Sequence, residues 1–230
     1  MRHTILFLSA FLASPFARAQ QAGDLDPWFN PGDLGYARGD GARNVIYPVA
    51  VQPDGKVLLG GPFLSFNYVG RQRIARVNAD GTLDTGFDPG NGADSWVLAI
   101  AVQPDGRILV GGSFTYFDGQ PTNRIVRLNA DGSRDTGFDI GSGADGTVRA
   151  FAIQPDGRIL LGGDFDTYNG VPAMGLARLN VDGSLDTGFN TGDGITGSVK
   201  AVALQDDGKI LVGGGLGMYD STDCPNIIRL

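Results

Sequence analysis

The chain contains no glutamate: all 25 of its acidic residues are aspartate. It has one histidine, His3, and one cysteine, Cys224. A lone histidine beside the N-terminus leaves no residue for a Ser/His/Asp triad, a His general base or a His-ligated metal in the body of the chain. One cysteine excludes an intrachain disulfide, and a thiolate without histidine beside it is a poor nucleophile. Cys224 therefore reads as a small, partly buried residue. Missing glutamate also removes a strong helix former, whereas aspartate favours turns. With 37 glycines, the composition calls for many tight turns and few helices.

Long apolar runs are scarce as well. The longest, Ile5 to Phe16, is too short to span a bilayer. It follows the positive start Met1-Arg2-His3 and precedes Ala17-Arg18-Ala19, a small-x-small cleavage pattern. Residues 1–19 are therefore expected to be a signal peptide cut before Gln20, leaving residues 20–230 as one domain that is secreted, periplasmic or at the cell surface. Losing Arg2 and Arg18 takes the net charge from −7 to −9. Such a surface argues against nucleic-acid binding, which needs basic residues to displace counterions.

What the sequence does have is repetition. Gln52-Pro53-Asp54-Gly55 recurs at Gln103, Gln154 and, with Asp206 in the proline's place, Gln205. Each step is 51 residues. Gly60-Gly61, Gly111-Gly112, Gly162-Gly163 and Gly213-Gly214 keep the same step, as do Arg76, Arg127, Arg178 and Arg229. Several independent markers on one period establish an internal repeat.

One unit reads clearly over residues 148–189. Val148 to Ile153 is β-compatible, Gln154 to Arg158 is a turn, and Ile159 to Gly163 is a second strand. After a variable loop come Leu176 to Leu179, another turn at Asn180 to Ser184, and an expected fourth strand from Leu185 to Phe189. The turns have a mechanism: proline presets φ, aspartate takes the second corner, and glycine accepts the left-handed conformation that restarts the ladder. If Ala79-Asp80-Gly81 is a hairpin tip, Asn78 faces Thr82, Val77 faces Leu83 and Arg76 faces Asp84. The same register pairs Arg127 with Asp135 and Arg178 with Asp186, stitching the outer strands of each unit. The alternative is a ring of arginines that binds an anion.

Four-stranded units of this length in series are the pattern of propeller blades. The fold expected is all-β, a β-propeller of four four-stranded blades at about 46–88, 96–139, 147–190 and 198–230. Leu25-Asp26-Pro27-Trp28-Phe29-Asn30-Pro31-Gly32 matches Leu83 to Gly90, a fourth-strand sequence. Residues 24–29 are thus expected to complete the last blade beside residues 227–230, with Arg229 facing Asp26. The alternative is an open propeller fragment, or one that completes its ring with a second chain.

These units, Q-P-D-G-[KR]-[IV]-L-[LV]-G-G-x-F followed by R-[ILV]-x-R-[LV]-N-x-D-G-[ST]-x-D-T-G-F, resemble the delta-60 repeats of bacterial secreted and surface proteins. The resemblance covers nearly all of residues 24–230. It implies a β-propeller without an established catalytic activity, so it transfers no functional residues.

Binding specificity is expected where the units diverge. The loops at 62–72, 113–123, 164–175 and 215–226 vary, while the hairpin turns barely change. Each variable loop carries an aromatic followed by Asn or Asp: Phe66-Asn67, Phe117-Asp118, Tyr168-Asn169 and Tyr219-Asp220. These eight residues are candidates for stacking and hydrogen bonding to a glycan or protein ligand. The competing reading has the aromatics packing blade to blade and the Asn or Asp making the next turn. Asp94, Asp145 and Asp193 in the crossovers are weak candidates for calcium, since convergent carboxylates suit that ion. No EF-hand or nonapeptide calcium spacing is present. Three functions fit: a non-catalytic binding module, a hydrolase or lyase using Asp residues at the pore mouth, and a structural piece of a larger surface protein.

Overall fold

The computed structural model describes Phe29 and residues 41–230. The leader 1–19 and the closing segment 24–29 with its Arg229–Asp26 contact lie outside the described residues, Phe29 excepted. The described part is all-β and contains no helix, so none that is long and apolar enough to cross a membrane.

The first unit comprises β1 (Val49–Val51), β2 (Val57–Gly60), β3 (Ser65–Phe66), β4 (Val69–Gly70) and β5 (Ile74–Val77). The second comprises β6 (Val97–Val102), β7 (Ile108–Gly112), β8 (Tyr116–Phe117), β9 (Gln120–Pro121) and β10 (Ile125–Leu128). The third comprises β11 (Val148–Ile153), β12 (Ile159–Gly163), β13 (Thr167–Tyr168), β14 (Val171–Pro172) and β15 (Leu176–Leu179). The fourth comprises β16 (Ile195–Leu204), β17 (Ile210–Tyr219), β18 (Thr222–Asp223) and β19 (Ile227–Arg229). Each main sheet is antiparallel, in the orders β1-β2-β5, β6-β7-β10, β11-β12-β15 and β16-β17-β19.

The hairpins form as their turn chemistry demands. Gly55 sits at φ 83° and donates to the Gln52 carbonyl at 2.9 Å, while Asp54 Oδ1 accepts the Lys56 N–H at 3.1 Å. Gly106 and Gly157 repeat the conformation at 85°.

The fourth strand differs from the sequence expectation. It shrinks to single bridges, Val77 with Leu83, Leu128 with Arg134 and Leu179 with Leu185. Aspartate ends it. Asp84 Oδ1 accepts the Gly86 N–H at 2.9 Å, and the Asp84 carbonyl accepts from Phe87, so the chain turns instead of extending. Phe87 then drops fully buried into the core between the first two units. The variable loop holds a short β-ribbon in each of the first three units: β3–β4, β8–β9 and β13–β14.

The core lies between units. Leu58 and Ile74 pack with Val97, Ile108, Val110 and Val126 of the next unit. Leu109 and Ile125 repeat this with Val148, Ile159 and Leu161, and Leu160 and Leu176 with Val199, Ile210 and Val212. Each such fully buried aliphatic contributes about 1.5–3 kcal/mol. The double glycine makes the approach possible. A Cβ on Gly60 would lie 2.6 Å from a Val97 methyl, and one on Gly111 2.8 Å from Val148. The innermost strands β1, β6, β11 and β16 thereby stand side by side about a shared axis.

Candidate binding site at the axial mouth

The repeated Arg–Asp register forms, and it is structural. Arg76 Nε lies 2.7 Å from Asp84, Arg127 Nε 2.7 Å from Asp135 and Arg178 Nε 2.8 Å from Asp186. Each guanidinium also covers an aromatic ring, at 4.7 Å from Phe87, 4.4 Å from Phe138 and 4.5 Å from Phe189. These cations are occupied within the fold rather than presented as an anion-binding ring.

The eight aromatic–Asn/Asp candidates sit at the variable end, as expected, but they clamp the crossovers. Phe66 is 5% exposed, and Phe117 and Tyr168 are fully buried, so none of the three offers a free stacking face. Ala42, Ala93 and Ala144 of the incoming crossovers bridge to Phe66, Phe117 and Tyr168. The following Asn or Asp takes positive φ and accepts from the crossover backbone. Asn67 accepts from Gly41, Asp118 from Asn91 at 2.9 Å, Asn169 from Ser142 at 3.0 Å and Asp220 from Asp193 at 3.1 Å. Tyr219, partly buried, pairs with Ile195 in the same way.

The calcium candidates are likewise engaged. Asp94 accepts from the Thr115 and Tyr116 amides at 2.8 and 3.0 Å and from the Thr115 hydroxyl at 2.9 Å. Asp145 does the same with Asp166 and Thr167, and Asp193 accepts from the Ser221 hydroxyl at 2.6 Å. Partial burial disfavours the charged forms of Asp94 and Asp145, but these donors outweigh it and hold both carboxyls below their ordinary value. Among the described residues no three acidic, His or Cys side chains come together in a way that could hold a metal.

The concavity lies elsewhere at the same end, over the axis. It measures about 740 Å³ and is lined by Tyr47, Trp96, Leu98, Arg149 and Lys200, with Ser95, Ser113 and Thr147 between them. Tyr47 and Trp96 are 48% and 49% exposed, and their rings stand 6.1 Å apart, tilted by 39°. Arg149 is held by Asp164 at 2.7 Å, and Asp164 also accepts from Ser198 at 2.5 Å. Burial pushes the Asp164 carboxyl up, but Arg149 and Ser198 more than reverse this, so it stays ionised. The mouth therefore offers two aromatic faces, two cationic groups and three hydroxyls.

Tyr47, Leu98, Arg149 and Lys200 occupy one repeat position, three residues before an alanine of each innermost strand. Their neighbours Ala50, Ala101, Ala152 and Ala203 do not change from unit to unit. Aligned by their period, the units show this column as divergent within otherwise similar strands, a signal that divergence of the loops does not carry.

Comparison places the fold among known propellers. The WD40 β-propeller domain of Doa1 superposes with a TM-score of 0.53 at 16% identity, over 81% of this chain and 50% of that one. A gluconolactonase from Xanthomonas campestris gives 0.49 at 17% identity, over 78% of this chain and 58% of that one. The extracellular domain of a one-component system from B. thetaiotaomicron gives 0.49 at 14% identity, over 78% and 22%. The chain thus spans about half the length of the first of these structures. No curated protein matches the sequence. The family model described as "Domain of unknown function (DUF5122) beta-propeller" matches residues 52–87, 103–138, 154–189 and 205–230. Four matched copies on the four structural units, covering more than half the sequence, make this chain a member of the DUF5122 β-propeller family.

Proposed function

We propose that this chain is a secreted, non-catalytic binding module of the delta-60 type, and that its axial mouth takes an acidic oligosaccharide. The carrying observation is the exposed Tyr47–Trp96 pair set beside Arg149 and Lys200. The C–H face of a sugar ring stacks on such aromatics, and its carboxylate or sulfate accepts from the cations. On a chain of net charge −7, this cationic spot also attracts an anion locally. The signal-like residues 1–19 support an extracellular setting.

The hydrolase or lyase reading has less to stand on. Among the described residues that line the mouth there is no carboxylate. Asp164, bonded to its rim, is held ionised by Arg149, which suits a positioning residue rather than a general acid.

An array of acidic and neutral oligosaccharides, probed with and without calcium, tests the proposal. Retention of acidic members, independent of calcium and lost in high salt, is the expected result. Retention of neutral members alone, or of none, contradicts it.

A further inference from the structure

The two cations of the axial mouth are not equivalent. Arg149 and Lys200 hold one repeat position in the third and fourth units, and the residues before them pair alike, Val148 with Gly163 and Val199 with Gly214. The position across the strands from each cation is therefore Asp164 in the third unit and Gly215 in the fourth. Pro62 and Ser113 hold it in the first and second. The unit that brings an arginine to the axis is thus the one that also brings a carboxylate.

That carboxylate takes up Arg149. Asp164 Oδ2 stands 2.7 Å from Nε and 2.6 Å from Nη2 of the guanidinium. The other oxygen, Oδ1, accepts from the Ser198 hydroxyl of the fourth unit at 2.5 Å. Arg149 and Asp164 therefore cancel one another's charge in place, within a latch that joins two units. Lys200 has a glycine where that carboxylate would stand. It is exposed and makes no ion pair among the described residues.

We propose that the mouth accepts one anionic group per bound saccharide: Lys200 receives a single carboxylate, and the Arg149–Asp164 latch refuses a second anion. The inference rests on the reading of the mouth as an acidic-sugar site and narrows its ligand to sugars with isolated uronate carboxylates, not densely sulfated chains. A second anion at Arg149 must displace Asp164, which leaves that partly buried carboxylate unpaired beside the incoming charge. The chain's net charge of −7 adds to the penalty for each further negative group.

Calorimetric titration of the full chain tests it, with uronate-containing oligosaccharides, their carboxyl-reduced neutral forms and densely sulfated oligosaccharides as probes. The uronate is expected to bind about tenfold more tightly than either of the others. Asp164→Asn frees Arg149 and should shift the preference about tenfold toward the sulfated probe. Gly215→Asp gives Lys200 the partner that Arg149 already has, and a Cβ there meets nothing within 4 Å. It should erase the advantage of the uronate over its reduced form. Tighter binding of the sulfated probe by the unaltered chain overturns the proposal. So does a preference that Asp164→Asn leaves unchanged, or a uronate advantage that survives Gly215→Asp. Each of these leaves the acidic-sugar reading standing, whereas failure of every acidic probe to bind ends both.

Discussion

Arg76 donates from Nη1 to the main-chain carbonyl of Ala130, 2.6 Å away in the neighbouring unit. The same guanidinium pairs with Asp84 and covers Phe87, so one side chain fastens its own hairpin and the junction with the next unit. Its side chain is 8% exposed and that of Asp84 10%. Arg76→Ala leaves the nearly buried Asp84 carboxylate to Lys56 alone, 3.0 Å away, and urea unfolding is expected to show a loss of about 1.5–3 kcal/mol for the charge-assisted bonds removed. Arg107→Ala is the control. Arg107 reaches Asp135, the equivalent aspartate of the second unit, but its side chain is 44% exposed, and the loss should stay within about 1 kcal/mol.

Two glycines one hairpin apart should fail for different reasons. Gly106 has φ 85° and room around it, so Gly106→Ala is expected to cost about 1 kcal/mol of backbone strain. Gly106→Asn should recover much of that, since asparagine tolerates this conformation. Gly111 lacks positive φ but has the Phe151 ring 2.8 Å from where a Cβ would stand. Gly111→Ala should cost about 1–3 kcal/mol by overpacking, and Gly111→Asn more. Denaturant midpoints of the four variants separate strain from crowding.

Tyr168 is fully buried and donates its hydroxyl to the Gly183 carbonyl at 3.0 Å. Burial pushes the phenol far above its ordinary value, so it stays protonated at any working pH. The first two units have Phe66 and Phe117 at this position. Tyr168→Phe should therefore preserve packing and cost only the one hydrogen bond, about 1 kcal/mol in unfolding free energy. Tyr168→Ala should cost about 3–5 kcal/mol by opening a cavity.

Acid should destabilise the fold. Partial burial raises Asp84, Asp94, Asp135 and Asp145, yet hydrogen bonds and cations outweigh it and hold each below 3.8. A carboxyl depressed in the folded state stabilises it above the unfolded pKa, and that contribution disappears as pH falls through the folded value. Melting temperature, followed by circular dichroism, should vary little between about pH 7 and 5 on this account and drop below about pH 4. Asp94→Asn with Asp145→Asn should make that drop shallower. A steep fall already above pH 5 would contradict the assignment.

Much of this was legible in the chain. The period, the hairpin turns and the Arg76–Asp84 register all follow from residues close in sequence, whose geometry turn chemistry sets. The fourth strand was misread because Asp84-Thr85-Gly86 follows a strand-like leucine, and the aspartate's cap on Gly86 decides the matter locally. The aromatic–Asn/Asp pairs were located correctly on the variable end, but sequence could not show that Phe117 pairs with Ala93 and is spent on the core. The divergent column Tyr47, Leu98, Arg149 and Lys200 is legible once the units are aligned by their period, but that its members meet in one cavity is not, because they come singly from separate units. Tyr47 and Lys200 are three periods apart, and only the fanning of the units brings them to one cavity.

The most direct measurement is a calorimetric titration of the chain with an acidic oligosaccharide selected on the array, repeated with Trp96→Ala, Lys200→Gln and Tyr116→Ala. Tyr116 is as exposed as Trp96, at 48%, but does not line the mouth. Losing a stacking face or a charge-assisted bond at the site should weaken binding by roughly tenfold, equivalent to about 1.4 kcal/mol. Trp96→Ala and Lys200→Gln are expected to do so, with Tyr116→Ala unchanged. Equal affinity across all four proteins would contradict a ligand site at the axis.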